Sequence, residues 1–139
     1  MNATATTLTA IRQSLADCKT IAVVGLSPKP HRDSFRVAKY MQDHGFRIVP
    51  INPNAPEVLG EKAYASLTEA AQHERIDMVN CFRNSEDIPP IAAEAIAIGA
   101  KLLWLQIGVV NDAAAKQATD AGLVVVQNLC LMVEHRQLG

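Results

Sequence analysis

Short runs of apolar residues alternate along this chain with stretches whose apolar positions recur every three or four residues. The first stretch, Leu8 to Cys18, places Leu8, Ile11, Leu15 and Cys18 at helical spacing, which predicts a helix. Thr20-Ile21-Ala22-Val23-Val24-Gly25 follows, apolar at consecutive positions and ended by glycine. A strand apolar on both sides is buried on both faces, as in a parallel sheet covered by helices. Ser34 then reads as the cap of a helix running to His44, with Val37, Ala38 and Met41 inward and Gly45 as the stop. A second strand is expected over Phe46–Ile51, although its Pro50 cannot donate to a ladder. Asn52-Pro53-Asn54-Ala55-Pro56 breaks regular structure.

The rhythm continues to the end of the chain. A short third strand is expected near Lys62–Tyr64, and Ser66-Leu67-Thr68-Glu69 has capping-box spacing for a brief helix. A fourth strand spans Asp77–Phe82, and a helix from Pro89 to Ile98 ends at Gly99. Lys101–Leu105 reads as strand five. Asn111 caps an alanine-rich helix to Ala121, Gly122 stops it, and Leu123–Val126 is strand six. Strands alternating with helices throughout predict one α/β domain over residues 1–139, with residues 1–7, small and polar, frayed. The architecture is a Rossmann-like, doubly wound parallel sheet of five to six strands with helices on both faces. Right-handed crossovers favour the order 3-2-1-4-5-6.

Composition narrows the class. The 139 residues carry 13 Lys/Arg and 14 Asp/Glu, a net charge of −1, which argues against a nucleic-acid coat or a polybasic membrane binder. With 49% hydrophobic residues and 4% aromatics, the chain has enough apolar material for a core, and that core must be aliphatic. Cys18, Cys81 and Cys130 are far apart and form no CxxC or Cys/His zinc spacing, so neither a disulfide framework nor a structural zinc site is expected. The start lacks the pattern of a signal peptide, and no apolar run approaches a membrane span. The chain reads as cytoplasmic, with no membrane and no nucleic-acid partner.

In a sheet of this kind, ligands bind beyond the carboxyl ends of the strands at the switch point. Five segments are thereby selected: Gly25–Asp33, Asn52–Pro56, Phe82–Asp87, Gln106–Val109 and Gln127–Cys130. In the first, Gly25 permits a tight turn, Ser27 offers a hydroxyl, Lys29 and Arg32 add charge, and Ser34 stands where a helix N-terminus favours anions. From Lys29 to Arg47, five basic residues (Lys29, Arg32, Arg36, Lys39, Arg47) face two acids (Asp33, Asp43), a local excess of three. This points to a phosphate-bearing ligand, although Arg36, Lys39 and Arg47 equally suit a solvated helix face. The loop is not GxGxxG, and no acid stands at Ile51-Asn52-Pro53-Asn54 to hold a ribose 2′-hydroxyl. A phosphate-rich nucleotide fits better than NAD.

Gly25-Leu26-Ser27-Pro28-Lys29, Ile51-Asn52-Pro53-Asn54, Phe82-Arg83, the run from Gly99-Ala100-Lys101 to Trp104-Leu105-Gln106-Ile107-Gly108-Val109, and Cys130-Leu131-Met132-Val133-Glu134-His135 together resemble the small stand-alone CoA-binding proteins. That family shares its Rossmann fold with the N-terminal domain of the succinyl-CoA synthetase α subunit. The resemblance spans about residues 16–137. It implies that Ser27 and Lys29 hold the diphosphate of CoA or an acyl-CoA, with the Gly25–Leu26 backbone close by. The adenosine end would lie near Asn52 and Pro53, Phe82-Arg83 would form the opposite wall, and Gln106-Ile107-Gly108 would face the pantetheine arm. Arg83 is a natural bidentate phosphate ligand, or else the partner of Glu86 or Asp87. The synthetases carry a separate domain with a phosphorylated histidine that this chain lacks, so CoA binding transfers and the ligase reaction does not.

No catalytic or metal-binding constellation stands out. His31 reads as an exposed loop residue, His44 as a cation at a helix end, and His135 as a surface or packing residue. His73 makes no case. Cys130, after the last strand, could form a mixed disulfide with the CoA thiol, whereas Cys81 and Trp104 belong to the core. Asn80, polar within a buried strand, must bond internally or approach the ligand. Three functions follow: a CoA-binding carrier or sensor without catalysis of its own, a partner subunit or enzyme acting on an acyl-CoA, and an NAD(H)-binding redox sensor. A homodimer and an unidentified protein partner are both compatible with the sequence.

Overall fold

The structure, a computed structural model, describes residues 8–138; the frayed start expected for residues 1–7 lies outside them. Five parallel strands form the central sheet: β1 (Thr20–Val24), β2 (Arg47–Ile51), β5 (Met78–Cys81), β6 (Leu102–Leu105) and β7 (Val124–Val126). Their order is β2-β1-β5-β6-β7. The helices are α1 (Leu8–Ala16), α2 (Asp33–Asp43), α3 (Leu67–Ala70), α4 (Ile88–Ala97), α5 (Asp112–Asp120) and α6 (Leu131–Leu138). The α/β Rossmann-like fold expected from the alternation is therefore the fold observed.

The consecutive apolar residues of each strand divide between two cores. Ile21, Val23, Met78, Leu102, Trp104 and Val126 point to the layer of α1, α2 and α6. Ala22, Val24, Val79, Cys81, Leu103, Leu105 and Val125 point to the layer of α3, α4 and α5. Alternate side chains of a strand face opposite sides, so a strand buried on both is apolar at nearly every position, Asn80 of β5 being the exception. The second layer lays Ala92, Ala95, Ala114, Ala115 and Ala118 against the sheet, which lets α4 and α5 approach closely. Trp104 and Cys81 are fully buried, as expected, and the Trp104 indole N–H donates to the Leu129 carbonyl at 2.8 Å.

The expected third strand is reduced. Tyr64 makes a single parallel bridge to Ile51, donating to the Pro50 carbonyl while Asn52 donates back to the Tyr64 carbonyl. Pro50 has no N–H for the preceding ladder position, so pairing stops there. Glu61–Lys62 (β4) instead pairs antiparallel with Glu57–Val58 (β3). Two caps form as expected: Ser66 accepts from the Glu69 N–H and Asn111 from the Ala114 N–H. Ser34 does not cap α2. The helix begins two residues earlier than that cap would place it, at Asp33 with Arg32 at the N-cap, so the buried Ser34 hydroxyl reaches back to the loop. Gly45, Gly99 and Gly122 follow the ends of α2, α4 and α5, all with positive φ. Among the described residues, no helix is long and apolar enough to cross a membrane.

Candidate functional site

Two clefts open at the carboxyl edge of the sheet, and they share Gly25 and Phe82. Their junction lies where β1 and β5 run side by side while their chains leave toward opposite helix layers. The topology makes this a crevice before any side chain is considered. One cleft, of 620 Å³, is walled by the β1–α2 loop and the first turn of α2, with Ser27, Lys29, His31, Arg32 and Ser34. The other, of 680 Å³, runs between Asn52–Asn54, Ser66–Leu67 and the Phe82–Asp87 segment, with Ile91 and Glu94 of α4 at its far side.

Gly25 holds the junction open. Its φ is +85°, and a Cβ there would lie 2.6 Å from the Phe82 carbonyl oxygen. The neighbouring loop is fixed by its own polar groups. The Ser27 N–H donates to the Ser34 hydroxyl at 3.0 Å, and the Lys29 N–H donates to the Ser27 hydroxyl at 3.1 Å. Asn52 spans the gap to the next loop: its amide donates to the Leu26 carbonyl at 2.9 Å and its side-chain oxygen accepts from the Asn54 N–H at 2.8 Å. No side chain caps the start of α2, which leaves the N–H groups of its first turn facing the 620 Å³ cleft.

The charges sort themselves by partner. Arg36 pairs with Asp33, Lys39 with Asp43, and Arg47 with Glu74 in a two-bonded fork. Those three basic residues serve their own helix faces and the sheet rim. Among the described residues, Lys29 and Arg32 form no ion pair, and both are exposed in the 620 Å³ cleft. Arg83 reaches Asp87 at 3.5 Å, the alternative foreseen for it, while still lining the 680 Å³ cleft beside Glu86 and Glu94.

Eight of the twelve candidate residues thus gather around one junction: Gly25, Ser27, Lys29, Ser34, Asn52, Pro53, Phe82 and Arg83. Leu26 stands apart, its side chain fully buried in the α2 layer. Gln106 is buried as well, and its side-chain oxygen accepts from the Asn80 amide and from the Leu131 N–H at the start of α6, both at 3.0 Å. Asn80 therefore bonds internally, although its own oxygen has no partner. The Gly108 N–H is taken by Asn128 at 2.7 Å, and Ile107 is 67% exposed beyond both clefts. The wall built by Ser66, Leu67, Ile91 and Glu94 was not foreseen. Ser66 caps α3, Leu67 opens it, and Ile91 and Glu94 lie on α4; the capping box at Ser66–Glu69 marks a helix start and not a cleft wall.

The thiols divide similarly. Burial, with Asp77 adding to it, pushes the Cys18 thiol up to about 12, and burial alone pushes Cys81 to about 12, so both are inert near neutrality. Cys130, half-buried between β7 and α6, lines neither cleft.

The fold is Rossmann-like α/β, with its crevice at the carboxyl edge of the parallel sheet. Residues 19–136 match the CoA binding domain family, and the chain belongs to it. The chain is 44% identical over 125 residues to the uncharacterized protein YneT of Bacillus subtilis, covering 90% of this chain and 91% of that one. A hypothetical protein from Pyrococcus horikoshii OT3 superimposes with a TM-score of 0.92 at 39% identity, covering 99% of this chain and 96% of the other. An 85-residue stretch, 60% of this chain, is 29% identical to the ADP-forming acetate–CoA ligase II of Archaeoglobus fulgidus, of which it covers 12%.

Proposed function

We propose that this chain binds coenzyme A or an acyl-CoA across the two joined clefts and performs no chemistry of its own. The observation that carries this reading is the pair of unpaired cations, Lys29 and Arg32, beside the uncapped start of α2. The diphosphate lies there, against Ser27 and Lys29. The adenosine end enters the 680 Å³ cleft past Asn52 and Pro53, with Phe82 and Arg83 as its opposite wall. Arg83 leaves its long, half-exposed contact with Asp87 for a phosphate, an exchange of little cost because such surface pairs contribute about 0–1 kcal/mol. The pantetheine arm runs toward the exposed Ile107.

Cys18, Cys81 and His135 are committed to packing rather than to the clefts. Cys18 and Cys81 are sealed in the cores, and His135 is packed against Tyr40 and His44. A carrier or sensor that functions in the cytoplasm fits these features. The stretch shared with an acetate–CoA ligase supports one other reading, a subunit that presents an acyl-CoA to a catalytic partner. NAD(H) has less support, because Asn52 stands where a ribose-binding acid is needed and both its side-chain groups are engaged.

Thermal denaturation with CoA, acetyl-CoA, NADH and ATP, each at equal concentration, tests the reading. Ligand at a hundred times its Kd stabilises by about 2.7 kcal/mol, so CoA and acetyl-CoA are expected to raise Tm by several degrees. Stabilisation by NADH with no response to CoA would overturn it.

A further inference from the structure

Helix α6 rests on α2 away from the clefts, and its attachment has an unusual composition. At its start, Leu131 is buried and its N–H is held by Gln106. Further along, the helix is held by a cluster of rings. Tyr40 of α2 bonds the Nδ1 of His135 through its hydroxyl at 3.0 Å. The His44 ring stacks on Tyr40 with centroids 4.0 Å apart, and its Nδ1 lies 2.7 Å from the Tyr40 carbonyl oxygen. The two imidazoles stand 5.4 Å apart, and Phe46, just before β2, meets His135 edge-on at 5.6 Å. Two histidines from different helices thus share one aromatic box.

The charged groups around this box are nearly all cationic or already engaged. Arg136 of α6 lies over the Tyr40 ring at 5.9 Å. On α2, Asp43 holds Lys39 and Asp33 holds Arg36. Glu134, the nearest carboxylate on α6 itself, forms no salt bridge with His135 or His44 among the described residues. Among the described residues, therefore, no acid pairs with either imidazole of the box.

We propose that the Tyr40–His44–His135 box is an acid-released latch, which docks α6 on α2 when the His135 imidazole is neutral and frees the helix when it is protonated. Burial, followed by the proximity of His44, holds His135 below the usual imidazole value of 6.5, which fits this geometry. The sign follows. In the unfolded chain His135 takes its proton near 6.5 and in the folded chain at lower pH, so the docked state loses stability as pH falls through 6.5 toward the folded value. Release would be sensed at the far end of the helix. The Trp104 N–H is bonded to the carbonyl of Leu129, two residues before α6, and Leu131 is tied to Gln106. Loosening α6 thereby alters the environment of the single tryptophan.

Hydrogen exchange of α6 amides at pH 7.5 and 5.5, corrected for intrinsic rates, tests this directly, with Trp104 fluorescence as a second readout. Wild-type protein is expected to exchange α6 faster at pH 5.5, by up to about tenfold for one histidine, with β1 and β5 unchanged, and to show a reversible fluorescence transition below pH 6.5. His44→Gln, at an exposed position, should diminish the acid-induced increase while keeping α6 protected at pH 7.5. His135→Phe should abolish it. Equal α6 protection at both pH values in the wild type, or an undiminished acid response in His44→Gln, would overturn the proposal.

Discussion

Replacing Gly25 by alanine is expected to destabilise the fold by about 2–4 kcal/mol, the combined scale of a strained backbone and an overpacked contact, and to weaken CoA binding well beyond tenfold. Two separate penalties act at the same atom. The residue sits at φ +85°, where an L side chain is disfavoured by about 1–2 kcal/mol. Its new methyl would also stand 2.6 Å from the Phe82 carbonyl oxygen, a backbone atom that cannot swing aside. Relief requires the β1–α2 loop to part from the β5 terminus, and these are the two walls the clefts share. Thermal denaturation reads the first effect as a fall in Tm of roughly 6–15 °C, and calorimetry on the folded fraction reads the second. The Gly60→Ala variant separates conformation from crowding: Gly60 is also at positive φ but has nothing within 4 Å of its Cβ position, so it should lose stability while keeping CoA affinity.

The second large effect should appear without any loss of stability. Lys29→Ala and Arg32→Ala are each expected to weaken CoA binding by roughly 10- to 150-fold, the range for a hydrogen bond to a charged group at about 1.5–3 kcal/mol. The double variant should approach the product, because the two side chains have no ion-pair partners among the described residues to redistribute. Tm should stay within about a degree, since both are exposed. Arg36→Ala makes the contrast. That side chain is occupied by Asp33, and its removal should change affinity less than threefold. Calorimetric titration of the four proteins at two salt concentrations measures the differences, with the double variant also losing most of the salt dependence.

The elements were legible where one physical signal dominated. Strands β1 and β6, buried on both faces, wrote themselves as unbroken apolar runs, Ile21–Val24 and Leu102–Leu105, and Ser66 and Asn111 marked caps that form as expected. The misses have specific causes. The β3–β4 hairpin turns at Leu59-Gly60, where Leu59 takes φ +56°. A leucine is not a turn residue by its own preference, but here it packs against the core while its carbonyl accepts from Gln42 at 3.1 Å. Helix α6 was unforeseen because its residues show little apolar periodicity; its hold on the body comes from Gln106 and the Tyr40–His135 contact, both distant in sequence. Ser34 looked like a cap because a serine preceding an apolar-periodic stretch usually is one, yet its hydroxyl serves Ser27.

The site was legible through topology first and charge second. The rule that ligands gather at the carboxyl edge picked out Gly25, Asn52 and Phe82, which the structure brings to one crevice. Counting charge could not tell which cations were spoken for. Arg36, Lys39 and Arg47 differ from Lys29 and Arg32 only in having acids within reach, a fact that depends on helix faces and on the distant Glu74. Gln106 illustrates the opposite limit. Its place at a strand end suggested ligand contact, but a buried amide needs partners, and Asn80 and the start of α6 supply them.

Amide chemical-shift mapping by NMR on titration with CoA tests most directly whether CoA occupies the junction between the two clefts. Saturable shifts are expected at Gly25–Arg32, Asn52–Asn54 and Phe82–Asn84, with the amides of Cys18, Asp77 and Gly122 at the opposite edge of the sheet unmoved. Titration that leaves the Gly25–Arg32 amides unchanged, or that moves the opposite edge instead, would contradict it.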